Sequence, residues 1–341
     1  MHIAVAGISH GHSPWILGRK DKGDLVITGI YECDTSLWQP YAKKYNLKYE
    51  LFYADLSKML DAVKPEAVVA FGSVNQHVKV VEACAPRGIH VMVEKPLATT
   101  KEQAATMYKL AKKNNIQLLT NYETSWYPST EKTYQLTRDS LFIGKITKAV
   151  FHHGHEGPKK IHVSNEFFHW LTDPVENGGG ALIDFGCYGA NIMTYLMQSE
   201  QPVSVTAVTQ HFQPDAYPKV DDEASIIVTY PSAQCIIQAS WNWPFGRKDM
   251  EVYGEGGYVI SADNVNMRIR NRSMKEEQKI RTDTGEFHVY TDPFAYFVDI
   301  IKGKIKMPSY GLYSLENNVQ VVNILDAARH SAKTGRTVYL H

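Results

Sequence analysis

The sequence predicts an α/β protein in which a doubly wound parallel sheet is followed by an α+β domain with a large open, mostly antiparallel sheet. Two patterns and the length predict it. In residues 1–122, short apolar runs alternate with segments of helical spacing. In residues 123–341, apolar runs follow one another with short turns between them. A chain of 341 residues is also longer than one hydrophobic core usually serves, so we expect two domains.

Alternating strands and helices make up the predicted first domain. The β-branched, nearly all apolar runs that predict its strands are HIAVAG, LVITGIYECD, PEAVVAFG, HVMVEK and IQLLTNY. The segments of helical spacing between them are SLWQPYAKKYN, LSKMLDAV, QHVKVVEACAPRG and KEQAATMYKLAKKNN. Because helices separate the strands, we expect the strands to be parallel and covered by helices.

The predicted second domain is dominated by strands. Its strand-like runs are GKITKAVFHHGHEG, PVSVTAVTQHF, EASIIVTYP, AQCIIQASWNW, KDMEVYGEGGYVISA and NMRIRN. Two helices, one in GGGALIDFGCYGAN and one in LENNVQVVNILDAARHSAKTG, are expected to cover one face of the sheet. The other face carries alternating apolar residues that need burial, which favours a homodimer or homotetramer formed through this sheet.

Charge and cysteine content limit the class of protein. Lysine plus arginine balance aspartate plus glutamate at 36 each, so nothing indicates a nucleic-acid or anionic-membrane partner. The start MHIAVAG lacks a secretory signal, and no apolar run approaches the roughly 20 residues that span a bilayer. The four cysteines, Cys33, Cys84, Cys187 and Cys235, form no CxxC pair. We therefore expect a reduced, cytoplasmic protein without a zinc ribbon or a disulfide framework.

The first predicted strand ends in AGISHGHSP, which partly matches the dinucleotide-binding turn G-x-G-x-x-G. In that turn, glycines let the backbone approach a pyrophosphate at a helix N-terminus, as in Rossmann domains. Only the first glycine is in register here. The turn residues expected to contact the cofactor are Gly7, Ser9, His10, Gly11 and His12. Asp34, at the end of the second strand, is expected to accept hydrogen bonds from the adenosine ribose, which favours NAD without excluding NADP. The alternative is an ordinary turn with a strand-end aspartate.

A later stretch, GIHVMVEKPLATT, resembles the signature of the Gfo/Idh/MocA oxidoreductases. That family includes glucose–fructose oxidoreductase, inositol dehydrogenases and dimeric dihydrodiol dehydrogenase. Further segments resemble the family in its order along the chain: GKITKAV, DPVENGGGALIDFGCYGAN, DDEASIIVTY, EVYGEGGYV and SAKTGRTVYL. The combination of Glu94-Lys95-Pro96 with the downstream glycine run is specific, and family members commonly associate through the second sheet.

The resemblance implies that the glycine-led helix brings Asp184 and Tyr188 to the nicotinamide, opposite Lys95. These two residues are four apart, so on one helix they would share a face. Oxidising a hydroxyl-bearing carbon requires a group that takes the hydroxyl proton. Tyrosine has a reference pKa of about 10, so we expect Lys95 to lower the pKa of Tyr188 and make it the proton carrier, with Lys95 itself as the alternative carrier. The alternatives are a solvated lysine, a helix-capping acid and a packed aromatic ring.

The resemblance also implies further cofactor neighbours. They are Gly72, Ser73, Asn75 and His77 in the segment GSVNQH, Glu94 beside the lysine, and Asn121 at the end of IQLLTNY. The family usually has Thr-Pro where this chain has Gly72-Ser73. It often has an arginine shortly after the position of Asn121, where this chain has Glu123, so substrate contacts there depart from the family pattern.

Five histidines fall within FHHGHEGPKKIHVSNEFFHWL: His152, His153, His155, His162 and His169. Imidazole is a common metal ligand, but no helical pair with a companion acid occurs, so no metal is expected. His153 and His155 would point the same way if the strand continues, and we expect them to contact substrate hydroxyls. Trp170 could stack on a sugar ring. Plain structural roles are the alternative for all of them.

These observations predict an NAD(P)-dependent oxidoreductase that moves a hydride between a nicotinamide and a hydroxyl or ketone of a sugar, glycoside or polyol. One alternative is a glycoside-cleaving or lyase-type enzyme that oxidises transiently and retains its NAD. Another is a non-catalytic relative that only binds nucleotide or ligand. The three differ in whether net nicotinamide reduction, glycoside cleavage or neither occurs.

Overall fold

The computed structural model describes residues 1–283, 285 and 290–340, and its N-terminal sheet has six parallel strands. These are β1 (His2–Ala6), β2 (Val26–Tyr31), β3 (Phe52–Tyr53), β4 (Ala67–Ala70), β5 (His90–Glu94) and β6 (Leu118–Asn121). Their order is β3-β2-β1-β4-β5-β6, so the direction of winding reverses between β1 and β4. A reversal of this kind opens a crevice at the carboxyl ends of the strands. The two-residue β3 is too short to be predicted from an apolar run.

Helices connect these strands, as the spacing predicted. They are α1 (Pro14–Leu17), α2 (Trp38–Tyr45), α3 (Leu56–Val63), α4 (His77–Cys84) and α5 (Lys101–Lys113). Side chains at the N-termini set where two of them begin: Asp55 accepts the Lys58 amide at α3, and Thr100 accepts the Gln103 amide at α5. The predicted doubly wound arrangement is confirmed.

The second sheet has nine strands in the order β14-β13-β12-β11-β7-β10-β9-β8-β15. They are β7 (Ile146–Gly154), β8 (Ser204–Gln210), β9 (Glu223–Thr229), β10 (Gln234–Ser240), β11 (Arg247–Gly254), β12 (Gly257–Ser261), β13 (Asn266–Asn271), β14 (Gln278–Arg281) and β15 (Val338–Tyr339). Among the strands of this sheet that the structure describes, only β7 and β10 pair in parallel, and every other neighbouring pair is antiparallel. The predicted mostly antiparallel sheet is therefore confirmed.

Three strand predictions for this sheet need correction. KDMEVYGEGGYVISA is a hairpin of two strands, β11 and β12, because the chain turns at 255–256. β14 and β15 were not predicted, since the first is largely polar and the second has only two residues.

The second domain contains several helices besides its sheet. They are α6 (Pro128–Tyr134), α7 (Asn165–Leu171), α8 (Ala181–Asp184), α9 (Gly186–Met197), α10 (Pro293–Ile301) and α11 (Leu315–Thr334). Every residue of α9 is buried, because α9 lies between β7, β10 and α11. The opposite face leaves Val208 62% and Ile227 37% exposed. Within the described part of the chain, no helix combines the length and the apolar character that a membrane crossing needs.

Candidate active site

A buried ion pair joins the two domains where their sheets approach. Lys95 follows β5, and its ammonium donates to the Asp184 carboxylate and, at 2.9 Å, to the Asp184 carbonyl. The indole N–H of Trp241 donates to the other carboxylate oxygen at 2.9 Å. Burial alone would lower the pKa of Lys95 and raise that of Asp184, but their mutual attraction outweighs it and moves both the other way. The site therefore keeps a lysine that is charged at neutral pH.

The three glycines before α8 place Asp184 against Lys95. Gly178 has φ +87°, a conformation that favours glycine, and a side chain on Gly180 would collide with the Asp221 backbone. The Asp221 carboxylate accepts the amides of Gly180 at 3.0 Å and Leu182 at 2.7 Å. The glycines thus let the start of α8 pack tightly on the loop that holds Asp221, which aims the end of α8 at Lys95.

Tyr188 lies beside this pair but not on the same helix as Asp184. α8 ends at Asp184 and α9 begins at Gly186, so the predicted single helix is interrupted at Phe185. The Tyr188 ring lies under two ammonium groups, with the Lys95 nitrogen 5.0 Å and the Lys248 nitrogen 5.3 Å from its centroid. No described residue forms a hydrogen bond with its hydroxyl.

The expectation that a neighbouring cation lowers the pKa of Tyr188 is wrong. Burial, followed by the charge of Glu123, raises that pKa well above its usual value. Both nearby ammonium groups have carboxylate partners, since Lys95 binds Asp184 and Lys248 binds Glu123. The Tyr188 hydroxyl is therefore protonated at neutral pH.

A cavity of about 520 Å³ reaches Lys248 and Phe185, which both contact the Tyr188 ring. Tyr188, Lys95 and Asp184 are not among its lining residues. Its polar and aromatic lining includes Glu123, Tyr127, His155, Phe185, Lys248 and Asn264. Lys248 was missed by the sequence analysis, because a lysine on an amphipathic strand is ordinarily a surface residue. Its proximity to Tyr188 depends on the pairing of β11 with β7, where Lys248 lies opposite His153.

The turn after β1 has the close backbone approach of a nucleotide-binding turn. Gly7 has φ +81°, and a Cβ there would lie 2.5 Å from the Gly72 nitrogen. The turn therefore passes against the loop after β4, as a dinucleotide cradle requires. The turn also offers hydrogen-bond donors to an anion, because the backbone amides of Ser9 and Gly11 bond to no described residue. These features fit a bound dinucleotide.

The acid that faces this turn is Glu32 rather than Asp34. The Glu32 carboxylate accepts the Ile8 amide at 3.1 Å and the Asp34 amide at 3.0 Å. The Asp34 carboxylate instead accepts the Ser36 amide at 3.0 Å and caps the short helical turn that precedes α2. The sequence already indicated this exchange of roles, because Glu32 directly follows β2 and Asp34 stands immediately before a helical turn, at the position of an N-cap residue.

His10, His12 and Glu94 converge at the same crevice, with ligand-type atoms within 4.8 Å of one another. The His12 amide donates to Nδ1 of His10 at 2.9 Å, which leaves the proton of a neutral His10 on Nε2. Nδ1 of His12 donates to Glu94 at 3.1 Å, and Asn121 donates to the other Glu94 oxygen at 2.7 Å. Burial lowers the pKa of both imidazoles well below the usual value. In these tautomers, Nε2 of His10 carries a proton and can donate, whereas Nε2 of His12 carries none and can accept.

Helix α7 lies across the nucleotide turn. The Trp170 indole donates to the Ser9 hydroxyl at 3.1 Å, and the Phe167 ring stands where a side chain on Gly11 would lie. Trp170 therefore contacts the cofactor turn and is not among the residues that line the cavity beside Tyr188. The Tyr41 hydroxyl on α2 donates to the Glu166 carboxylate on α7 at 2.9 Å.

The loop after β4 is held by the segment that follows α7. The Ser73 hydroxyl donates to the Glu176 carboxylate, and the backbone N–H of Asn75 donates to the backbone carbonyl of Glu176 at 2.9 Å. His77 donates from Nδ1 to the Leu97 carbonyl at 3.2 Å, and burial lowers its pKa to about 4. Glu176 was not predicted, because only the tertiary fold brings it to this loop.

The structure separates the clustered histidines. His155 lines the cavity, whereas His153 is fully buried against Tyr188 and has no hydrogen-bond partner among the described residues. β7 ends at Gly154, but both rings contact the stacked pair of Phe185 and Tyr188, His155 at 4.8 Å from Phe185 and His153 at 5.7 Å from Tyr188. Burial lowers the pKa of His153 to about 3, so it is neutral. His152 pairs with Asp249 at 2.9 Å.

Two family models match the chain. The model described as an oxidoreductase family with an NAD-binding Rossmann fold matches residues 1–122, and the GFO/IDH/MocA C-terminal domain matches residues 137–260. Together they span more than half of the sequence.

Curated relatives are between 22% and 30% identical to this chain over the aligned residues. Trans-1,2-dihydrobenzene-1,2-diol dehydrogenase of Xenopus laevis is 30% identical over 219 residues, which are 64% of this chain and 61% of that protein. D-xylose 1-dehydrogenase (NADP(+)) 2 of Haloferax volcanii is 23% identical over 274 residues, 77% of each chain. The match to the diol dehydrogenase thus leaves more than a third of that protein uncovered.

Solved structures share the whole fold. An inositol dehydrogenase homolog from Azotobacter vinelandii, complexed with NAD+, superimposes with a TM-score of 0.85 at 16% identity, covering 100% of this chain and 97% of that one. Aldose-aldose oxidoreductase from Caulobacter crescentus, complexed with glycerol, gives 0.78 at 20% identity, covering 100% and 99%. At these identities the likeness shows the two-domain architecture.

Proposed function

This chain belongs to the Gfo/Idh/MocA family of oxidoreductases with an NAD-binding Rossmann domain, and we propose that it transfers a hydride between NAD and a hydroxyl-bearing carbon of a sugar, glycoside or polyol. The observation that carries the proposal is the buried Lys95–Asp184 pair, whose ammonium lies 5.0 Å from the centroid of the Tyr188 ring. Relatives named as xylose and diol dehydrogenases support a small hydroxylated substrate.

Each residue of the site has a proposed role. NAD, when bound, accepts or supplies the hydride. The Lys95 ammonium stabilises negative charge on the substrate oxygen, and Asp184 keeps that ammonium charged and aimed. Tyr188, protonated at neutral pH, gives its proton to the carbonyl oxygen in reduction and takes one back in oxidation. Glu123 and Lys248 remain charged at the cavity wall and can bind hydroxyl groups of the substrate.

The experiment that tests this function begins with the purified protein as it is isolated. Mass spectrometry after denaturation identifies any nicotinamide that is released, and titration with NAD and NADP follows. A panel of aldoses, glycosides and polyols is then assayed by nicotinamide absorbance. Turnover of a member of the panel supports the proposal, and failure to bind either nicotinamide contradicts it.

A second candidate function is supported by α7. Phe167 and Trp170 of α7 contact the cofactor turn, and Glu176 binds the loop after β4, which supports the proposal that this segment encloses a bound cofactor and retains it. A retained cofactor suits an enzyme that oxidises a glycoside transiently, eliminates or cleaves, and then reduces again. Glycoside cleavage without net formation of NADH would favour this candidate over a simple dehydrogenase.

Cofactor preference provides the first prediction. Glu32 presents a carboxylate to the nucleotide turn, so a 2′-phosphate is repelled and NAD is preferred. We expect Glu32→Gln to raise the affinity for NADP relative to NAD by about tenfold, since removing one close charge is worth roughly 1.4 kcal/mol. Calorimetric titration with both nucleotides measures the ratio. Asp34→Asn is the matched control, and a larger shift in that variant would restore Asp34 to the role.

Assembly through the open face of the second sheet provides the next prediction. We propose a homo-oligomer there, because Val208 and Ile227 are exposed apolar residues on neighbouring strands of this sheet. Val208→Asp is expected to yield a folded monomer in light scattering, since a buried unpaired charge opposes association. Val175→Asp, at a residue 65% exposed outside the sheet, is the control and should not change the mass. A cytoplasmic location stays a prediction.

A further inference from the structure

The carboxyl ends of β5 and β6 form the side of the crevice that lies away from Glu32. The sheet order places β2 and β3 on one side of β1, and β4, β5 and β6 on the other. A dinucleotide binds across such a crevice, with its adenosine at an acid after the second strand. Because Glu32 takes that position, the nicotinamide half belongs on the side of β5 and β6. Glu94 and Asn121 are the last residues of these two strands and pair in register.

Glu94 is a carboxylate enclosed on this side, with 2% of its surface exposed. It accepts N–H groups from Nδ1 of His12 at 3.1 Å, from the Asn121 amide at 2.7 Å and from the Lys95 backbone at 3.4 Å. The orientation of Asn121 is fixed, because its side-chain oxygen accepts the Trp126 indole N–H at 3.1 Å and an indole can only donate. Every partner thus supplies a hydrogen to Glu94, which favours the ionised carboxylate.

Glu94 lacks a cationic partner among the described residues. No lysine or arginine forms an ion pair with it. Its neighbour His12 is neutral, because burial lowers the pKa of that imidazole well below the usual value. Burial also raises the pKa of Glu94, as expected for a carboxylate without a compensating cation. A buried charge of this kind is costly unless a cation neutralises it.

The other charges around the crevice cancel in pairs. Besides Glu94, the charged side chains that act on His10 and His12 are Lys95, Asp184, Lys248 and Glu123. Lys95 binds Asp184, and Lys248 binds Glu123. Counted over these described residues, the crevice carries one net negative charge, and that charge is on Glu94.

We propose that Glu94 makes this crevice bind the oxidised cofactor more tightly than the reduced one. The nicotinamide ring of NAD+ carries a positive charge that NADH lacks, and an uncompensated carboxylate in a water-poor crevice attracts it. The inference rests on the cofactor binding that the proposed function also requires. Tighter binding of NAD+ lowers the reduction potential of the bound couple, so bound NADH is a stronger reductant than free NADH.

The test is equilibrium competition on the purified full chain between NAD+, NADH and benzamide adenine dinucleotide. The last has a neutral benzamide ring in place of the charged nicotinamide ring and the same shape. Bound nucleotides are separated by gel filtration and measured by mass spectrometry after denaturation. We expect NAD+ to bind at least about tenfold more tightly than the benzamide analogue, and more tightly than NADH.

The outcomes separate this inference from the proposed function. Equal or tighter binding of the benzamide analogue overturns the role of the charge while leaving the proposed function in place. Binding of NADH in preference to NAD+ overturns the preference for the oxidised form. Absence of all three dinucleotides from the bound fraction contradicts the proposed function as well.

Variants assign the preference to Glu94. Glu94→Gln keeps the shape but removes the charge, and His12 can take its other tautomer and accept the new amide N–H. The preference for NAD+ over the benzamide analogue should fall at least about tenfold, with the analogue's own affinity within about threefold as a check of folding. Glu66→Gln is the matched control, an exposed residue before β4 at the opposite edge of the sheet, and the preference should stay within about twofold. An unchanged preference in Glu94→Gln, or equal losses in both variants, overturns the proposal.

Discussion

Replacing Lys95 by methionine is expected to abolish most turnover and to destabilise the fold at the same time. In the proposed mechanism the ammonium stabilises the charge that develops on the substrate oxygen, and loss of one such group costs about 10²–10³-fold in kcat. The change also leaves the Asp184 carboxylate buried with only the Trp241 indole as side-chain donor. Breaking a buried pair in this way lowers the free energy of unfolding by about 3–5 kcal/mol.

A double variant separates the two effects. In Lys95→Met with Asp184→Asn, the buried charge is gone and the amide oxygen can still accept the Trp241 N–H, so most of the stability should return while turnover does not. Urea unfolding and nicotinamide absorbance give the two readouts. Lys112→Gln is the control, because its pair with Glu316 is exposed and should be worth less than about 1 kcal/mol. Turnover by Lys95→Met within tenfold of the natural enzyme would remove Lys95 from the mechanism.

Replacing Tyr188 by phenylalanine is expected to reduce kcat by about 10²–10⁴-fold, the range for loss of a positioned proton donor or acceptor. Stability should change little, because the hydroxyl has no hydrogen-bond partner among the described residues and the ring contacts remain. The control is Tyr195→Phe on the same helix, which removes a hydroxyl that bonds only to Glu131 and should leave kcat unchanged. Single-turnover measurements of hydride transfer with the substrate found by the panel give the comparison.

The dependence on pH follows from the raised pKa of Tyr188. In the oxidation direction only the deprotonated fraction can take the substrate proton. That fraction, and with it kcat/KM, rises about tenfold per pH unit below the pKa. In the reduction direction the protonated hydroxyl is already the major form at neutral pH, so kcat/KM should be flat there. An oxidation profile that levels off below pH 8 would assign the proton to a group of lower pKa, such as an imidazole.

Local patterns in the sequence were sufficient for the architecture and for the identity of the central residues. Strand and helix assignments in the first domain follow from apolar spacing, because each element buries its own periodic face. Lys95 and Asp184 were recognised because each stands beside a motif with a backbone requirement: a proline after a strand, and glycines before a helix. Such requirements are local, and the residues that meet them can be read in order along the chain.

Contacts between distant segments decided the electrostatics and the edges of the site. The pKa of Tyr188 rises because the residue is buried and because the charge of Glu123 lies near it. Lys248, the partner of Glu123, comes to this place only through strand pairing. Glu32 rather than Asp34 faces the nucleotide turn, since the turn folds back onto the end of β2. Trp170 lies on that turn, outside the substrate cavity, because α7 crosses between the domains.

The sequence by itself therefore determined the fold class, the family resemblance and the residues that could do chemistry. The tertiary structure alone decided which of them are charged, which bond to one another, and that Glu94 is buried without a cationic partner among the described residues. The physical reason is that secondary structure depends on neighbours within a few residues. The energy of a buried charge depends instead on every group packed around it, whatever its position in the chain.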